Sequence, residues 1–253
     1  MPDLLRFESA RARVLLEENK ALGIGTLAEK TMHGILKLYF EPDDSYHEIE
    51  CLGSVADILR DGYVTEIQTG SLFPLLPKLK RLLPHYRIRV VHPLLTEKYI
   101  RYLDRETGEI TPPRKSPAVE KIFDLAFDLF RLSEVICNEN LTLTLVSLRC
   151  EEIRVKDGRR TRRGVRSSLF ERIPTALLSE ESLATPDDYL RALLPESLFD
   201  GFTVKDYLRS IGSRSRYAQY ALRLLISLGL LERERIGRSY VYKRVNNGEP
   251  SDG

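Results

Sequence analysis

His47-Glu48-Ile49-Glu50-Cys51-Leu52-Gly53, then Ala56-Asp57-Ile58-Leu59-Arg60-Asp61-Gly62, then Tyr63-Val64-Thr65-Glu66-Ile67-Gln68 read as three short strands carrying spaced acids. Gly53-Ser54 and Asp61-Gly62 supply the turns. Strand side chains alternate between faces, so Glu66 and Gln68 point the same way, and Asp57, near the start of the preceding strand, reaches the same end. Carboxylates converging there would hold a hard divalent cation, and oxygen ligands of this kind favour Mg²⁺ or Mn²⁺ over zinc.

Upstream, residues 3 to 22 carry Leu4, Leu5, Ala10, Val14, Leu15, Ala21 and Leu22 among charges, a surface helix closed by Gly23 and Gly25. Thr26-Leu27-Ala28-Glu29 fits a capping box that starts a second helix, with Met32, Leu36 and Phe40 at helical spacing beyond it and Glu29 and His33 on the same stripe. Downstream, residues 71 to 86 turn helical, with early prolines and the basic side chains Lys78, Lys80 and Arg81. Arg87 to Pro93 then reads as a fourth strand. The order is helix, three strands, helix, strand.

That order, with acids at these places, resembles the core of the PD-(D/E)XK, or restriction-endonuclease-like, nuclease superfamily over roughly residues 20 to 95, less than the roughly 100–200 residues of a typical domain. The resemblance implies an α/β fold with an αβββαβ core and metal-dependent cleavage of phosphodiesters. It matches Asp57 to the acid of the second strand, Glu66 to the acid of the third, Gln68 to the lysine position and Glu29 to the helix glutamate. It implies catalytic roles for all four, with Asp57 and Glu66 as metal ligands, and Gln68 orienting the attacking water. Gln68 departs from the superfamily's lysine and brings no positive charge, and Ala56 stands where the proline of the name would be. Domains of this type are often dimers, which implies a homodimer whose two sites address two strands.

Beyond residue 95 a charged loop ends in Thr111-Pro112-Pro113-Arg114-Lys115-Ser116-Pro117, a natural break, and an amphipathic helix follows with Val119, Ile122, Phe123, Ala126, Phe127 and Phe130 on one side. Leu141 to Val155 alternates as a strand, with a tight turn expected at Lys156-Asp157-Gly158. The densest basic run, Arg159, Arg160, Arg162, Arg163 and Arg166, follows at the hairpin tip. Residues 179 to 200 read as a short helix-bearing linker. From Thr203 come a helix (204–211), a turn at Gly212-Ser213, a longer helix (214–228), and two strands (230–236, 239–245) flanking Gly237-Arg238, which together make a winged helix. The expected division is a nuclease-like core over 1–110, a helix-and-hairpin segment over 111–200, the winged helix over 201–246 and a disordered polar tail over 247–253.

The net charge of +2 over 253 residues is unevenly spread: Gly201 to Val245 holds ten Lys or Arg against three Asp or Glu, a local +7. Arg216, Gln219 and Arg223 form one polar stripe on the second helix of this module, while Ala218, Ala221, Leu222, Leu225 and Leu228 face inward. Arg235, Arg238, Lys243 and Arg244 on the wing suit phosphates, as do Arg159, Arg160, Arg162 and Arg163. DNA is the expected partner. Three distant cysteines outline neither a disulfide framework nor a zinc site, and neither a membrane span nor a signal segment is apparent, so a cytoplasmic, nucleoid-associated protein is expected. No Gly-rich phosphate loop and no nucleophile elbow is present, which argues against an intrinsic motor or a serine hydrolase.

Each feature has a plainer reading. Glu29 serves equally as the reciprocal partner of Thr26 in a cap, and Glu66 with Gln68 as the solvated face of a strand. His33 reads as a structural histidine, Lys78, Lys80 and Arg81 as a solvated face, and residues 159 to 166 as a flexible basic loop. The winged helix could bind protein instead. The expectation is a divalent-metal-dependent DNA endonuclease; the alternative is a catalytically inactive DNA-binding regulator or scaffold on the same fold.

Overall fold

Leu52 and Gly53 (φ 47° and 69°), and Asp61 and Gly62 (φ 51° and 75°), all take left-handed backbone. Paired positive φ is the geometry of two-residue hairpin loops, and glycine at the second place makes it cheap. In the computed structural model these turns join β1 (His47–Cys51), β2 (Ser54–Arg60) and β3 (Tyr63–Ile67) as an antiparallel meander. The structure describes residues 2–20, 27–104, 107–161, 164–198, 201–212 and 217–245, with the side chains of 17–20, 27–30, 157–161 and 164–166 outside the description. The chain is mixed α/β and forms two compact units, each drawing on several stretches of chain.

The first unit takes in Met1–Gly70, His85–Lys121 and Leu143–Glu181. Here β3 pairs in parallel with β4 (Arg87–Leu103), in the register Val64↔Ile88 and Glu66↔Val90. A parallel neighbour needs a crossover, and residues 71–84 provide it. The mixed sheet runs β1-β2-β3-β4-β6-β7, with β5 (Arg114–Lys115) paired to β4, β6 spanning Leu141–Thr161 and β7 Gly164–Leu183. Val64, Thr65, Glu66 and Ile67 are all buried, so β3 is covered on both faces. One core joins Phe7, Ala10 and Val14 of α1 (Leu4–Lys20) and Met32, Ile35, Leu36 and Tyr39 of α2 (Leu27–Phe40) to Ile67, Val91, Val146, Leu148 and Cys150. Burial pushes the Cys150 thiol up to about 12, which leaves it an inert core group.

Two expectations are corrected here. The turn expected at Lys156-Asp157-Gly158 is strand: β6 continues to Thr161, because pairing with β7 outweighs the local turn chemistry of Asp-Gly. The stretch 179–183 likewise belongs to β7 rather than to a linker.

The second unit takes in Ser71–Pro84, Ile122–Thr142 and Ser182–Gly253. It contains α3 (Leu76–Leu82), α4 (Ala126–Arg131), α5 (Pro186–Leu193), α6 (Val204–Ser210) and α7 (Tyr220–Ser227), with a three-stranded sheet in the order β8-β10-β9 (Phe202–Thr203, Ser239–Arg244, Leu231–Ile236). Capping boxes start α5 and α6: Thr185 with Asp188, and Thr203 with Asp206. The hydroxyl of buried Tyr207 on α6 donates to the Leu193 carbonyl at 3.0 Å, tying α6 to the end of α5. Of the helix expected over 214–228, residues 214–216 lie outside the described residues and α7 starts at Tyr220; Gln219 is its N-cap position, and Leu224 joins Ala221, Leu222 and Leu225 on the buried side.

Candidate functional site

The ladder between β2 and β3 runs Arg60↔Tyr63, Leu59↔Val64 and Ile58↔Thr65 and ends there, with Asp57 and Glu66 the next residues on their strands. At this end of the ladder Asp57 Oδ2 accepts from the Ile67 amide at 2.7 Å, so a side chain takes over where the backbone pairing stops. The same oxygen lies 3.2 Å from Nε2 of His33 on α2. Glu66 is 4% exposed, and Ile67 between it and Gln68 turns into the core. Gln68 continues the parallel register: its amide donates to the Val91 carbonyl at 2.8 Å, and its own carbonyl lies 2.7 Å from Nδ1 of buried His92. A carbonyl can only accept, so Nδ1 of His92 carries the proton there.

The face of α2 over this edge repeats at helical spacing. His33 meets Asp57 on β2, and Lys37, one turn later, meets Glu48 on β1 at 2.5 Å. Glu29 is one turn before His33 on the same helix, and its side chain lies outside the described residues. His33 is thus brought to the acid that sequence reasoning singled out; its four-residue spacing from Glu29 was the available signal. Among the described residues, no three His, Cys, Asp or Glu side chains gather tightly enough to enclose an ion by themselves.

Buried charge elsewhere in this unit is matched. Glu152, 1% exposed, faces Arg172 at 2.9 Å, Arg154 at 3.2 Å and Lys98 at 3.6 Å. Burial alone would raise its pKa, but Lys98 and Arg172 outweigh that and hold the carboxyl below the usual range. Glu41 is treated alike: burial raises it, while the Asp43 amide and the Arg60 guanidinium 3.0 Å away bring it below normal. The side chains of Arg159 and Arg160 lie outside the described residues, as do Arg162 and Arg163 altogether.

The basic residues of the second unit are arranged differently. Arg216 lies outside the described residues. Arg223 is exposed on α7, with its guanidinium 4.8 Å from the centre of the Tyr220 ring. Phe127 and Phe130 of α4 stand 4.8 and 5.5 Å from that same ring, so the stripe through Arg223 is flanked by aromatic side chains rather than standing alone. Arg235 and Arg238 are exposed on β9 and its turn, Lys243 pairs with Glu234 at 3.3 Å, and Arg244 is half-buried. Lys80 of α3 pairs with Glu134 at 2.7 Å.

What these observations define is a mixed α/β protein with an acid at the end of the β2–β3 ladder in one unit and exposed arginines in the other, the two units drawing on interleaved stretches of chain. Residues 30–184 match the model of a domain of unknown function, DUF8091, and since this is more than half of the chain, the protein belongs to that family. A protein of Treponema pallidum (strain Nichols), described as "Uncharacterized protein", is 31% identical over 228 residues, covering 89% of each chain. No solved structure matches the chain. No helix among the described residues is long and apolar enough to cross a membrane.

Proposed function

We propose that the chain is a divalent-metal-dependent DNA endonuclease on a restriction-endonuclease-like core, with a winged helix as its second DNA-binding element. The observation that carries this reading is the Asp57 edge: a carboxylate of β2 fixed by the Ile67 amide where the β2–β3 ladder ends, beside a third strand that carries Glu66 and runs parallel to the fourth. The order α2, β1, β2, β3, crossover, β4 supports the core. The succession α5, β8, α6, α7, β9, β10 with sheet order β8-β10-β9 supports the winged helix.

The donor set suits Mg²⁺ or Mn²⁺. These ions are commonly held by one or two carboxylates, with waters and substrate phosphate completing the shell, so a two-carboxylate edge meets the requirement without a closed cage. Asp57 and Glu66 would hold the ion, which when bound supplies charge neutralisation at the phosphate and a more acidic attacking water. The Ile67 amide fixes the Asp57 carboxylate, leaving its direction independent of ligand. Nε2 of His33, 3.2 Å from the same oxygen, positions it from the helix side. Gln68 offers an amide to orient water, and His92 anchors the Gln68 backbone. Two copies would address two strands of a duplex.

Incubation with supercoiled, linear and branched DNA in Mg²⁺ or Mn²⁺, with EDTA and Asp57→Asn controls, tests the proposal. Metal-dependent cutting lost in the variant is the expected outcome; absence of cutting on every substrate would reject it. Gln68 specifically favours a second reading, an inactive DNA-binding scaffold, because an amide supplies no positive charge at the reacting phosphate. That reading expects salt-sensitive binding with no turnover.

A further inference from the structure

The second unit carries a surface whose chemistry is not that of a groove-reading helix alone. Between α4, α7 and β9 lies a cavity of about 330 Å³ lined by Phe130, Arg223, Ile226 and Arg233. Both arginines that line it lie against rings instead of carboxylates: Arg223 over Tyr220 at 4.8 Å and Arg233 over Tyr240 at 4.8 Å. Neither forms an ion pair with a described carboxylate. The aromatic pattern continues along the chain, with Tyr217 45% exposed, its ring 5.7 Å from Phe127 and stacked on Tyr220 at 6.4 Å.

We infer that this cavity receives an unpaired nucleotide of single-stranded DNA, its base against Phe130 and Ile226 and its phosphate between Arg223 and Arg233. The inference rests on the DNA-binding part of the proposed function and deepens it. Charge complementarity selects the ligand. Two guanidiniums that form no ion pair with a described carboxylate call for an anion, and the apolar walls call for a flat, apolar group attached to it. A cavity at the small end of ligand-site volumes holds one such unit. Guanidinium planes and aromatic faces are the elements that bind successive bases without regard to sequence, because every base has a π-face. A base paired inside a duplex cannot enter the cavity, so the surface distinguishes single strands from double.

The test uses the full chain and three labelled probes: an oligothymidylate and an oligouridylate of about twenty nucleotides, and a duplex of matching length. Fluorescence anisotropy should show the oligothymidylate binding at least about tenfold more tightly than the duplex. Arg223→Ala and Arg233→Ala should each weaken that binding by about tenfold, and Arg233→Ala, outside the groove-facing stripe, should change duplex affinity by less than about threefold. Arg223→Lys, which keeps the charge and loses the plane, should recover only part of the loss. Tyr217→Ser, at an exposed position stacked on Tyr220, provides a second variant should Arg223→Ala lower the melting temperature, and should also weaken single-strand binding. Duplex binding as tight as single-strand binding, preference for the oligouridylate, or variants that bind as the parent does would each overturn the inference while leaving DNA binding in place. Failure to bind any probe would overturn it together with the DNA-binding reading.

Discussion

The acid-bearing unit and the arginine-bearing unit differ in the setting of the charges that matter most to each. In the first, charges are buried and opposed: Glu152 among Lys98, Arg154 and Arg172, Glu41 against Arg60, and Asp57 between His33 and an amide. In the second, Arg223 and Arg233 lie on aromatic rings, while Arg235 and Arg238 are exposed. Charge held in a matched, buried setting keeps a fixed geometry, which suits coordination and proton chemistry. Charge kept near the surface without an acid is available to a ligand and sensitive to salt. On the proposed function, the difference gives chemistry to one unit and grip to the other.

The contrast breaks first at Glu152. Removing this carboxylate in Glu152→Ala leaves three cations facing one another, and chemical denaturation should report a loss of about 3–5 kcal/mol, the usual consequence of stripping one partner from a buried ionic cluster. A loss no larger than that of an exposed substitution would mean the cluster is not a structural keystone. The same residue governs the response to acid. Because Glu152 and Glu41 have folded pKa values below their ordinary ones, the unfolded chain takes up protons first as pH falls. Stability should therefore be on a plateau above the ordinary carboxylate range and decline as pH drops through the depressed folded values. Glu152→Gln should flatten that decline in a pH series of denaturant melts; an unchanged slope would place the acid sensitivity elsewhere.

A smaller effect belongs to the interior of the second unit. Tyr207→Phe removes the hydroxyl that satisfies the buried Leu193 carbonyl, and about 1–2 kcal/mol of that unit's stability should go with it. The smallest effects on stability belong to the wing. Arg235→Ala and Arg238→Ala should leave thermal melting where it is and each reduce the slope of log affinity for duplex DNA against log salt by about one. An unchanged slope would remove the wing from the phosphate-contacting surface.

Much of the first unit was legible in sequence because its information is local. Asp61-Gly62 and Gly53 mark hairpins whose backbone demands left-handed φ, and the alternation of β2 and β3 fixes which residues oppose each other. The same local logic failed at Asp157-Gly158, where long-range pairing of β6 with β7 carries strand straight through a good turn sequence. The meeting of His33 with Asp57 joins a helix to a strand, and a lone imidazole leaves no periodic trace of its partner. Arg223 was legible as an exposed position of α7, but the rings of Phe127 and Phe130 beside Tyr220 come from a distant stretch of chain. Nor could a reading in chain order see that residues 71–84, lying between β3 and β4, pack with residues from beyond 122.

The central claim concerns the Asp57 edge, and metal-dependent DNA cleavage by the parent protein, Asp57→Asn and Glu66→Gln measured side by side tests it most directly. The account predicts cutting in Mg²⁺ or Mn²⁺ that EDTA abolishes and that falls by about a hundredfold or more in each variant, with single-strand and duplex binding retained. Cleavage that persists undiminished in both folded variants, or a parent that binds DNA and never cuts it, would contradict the claim.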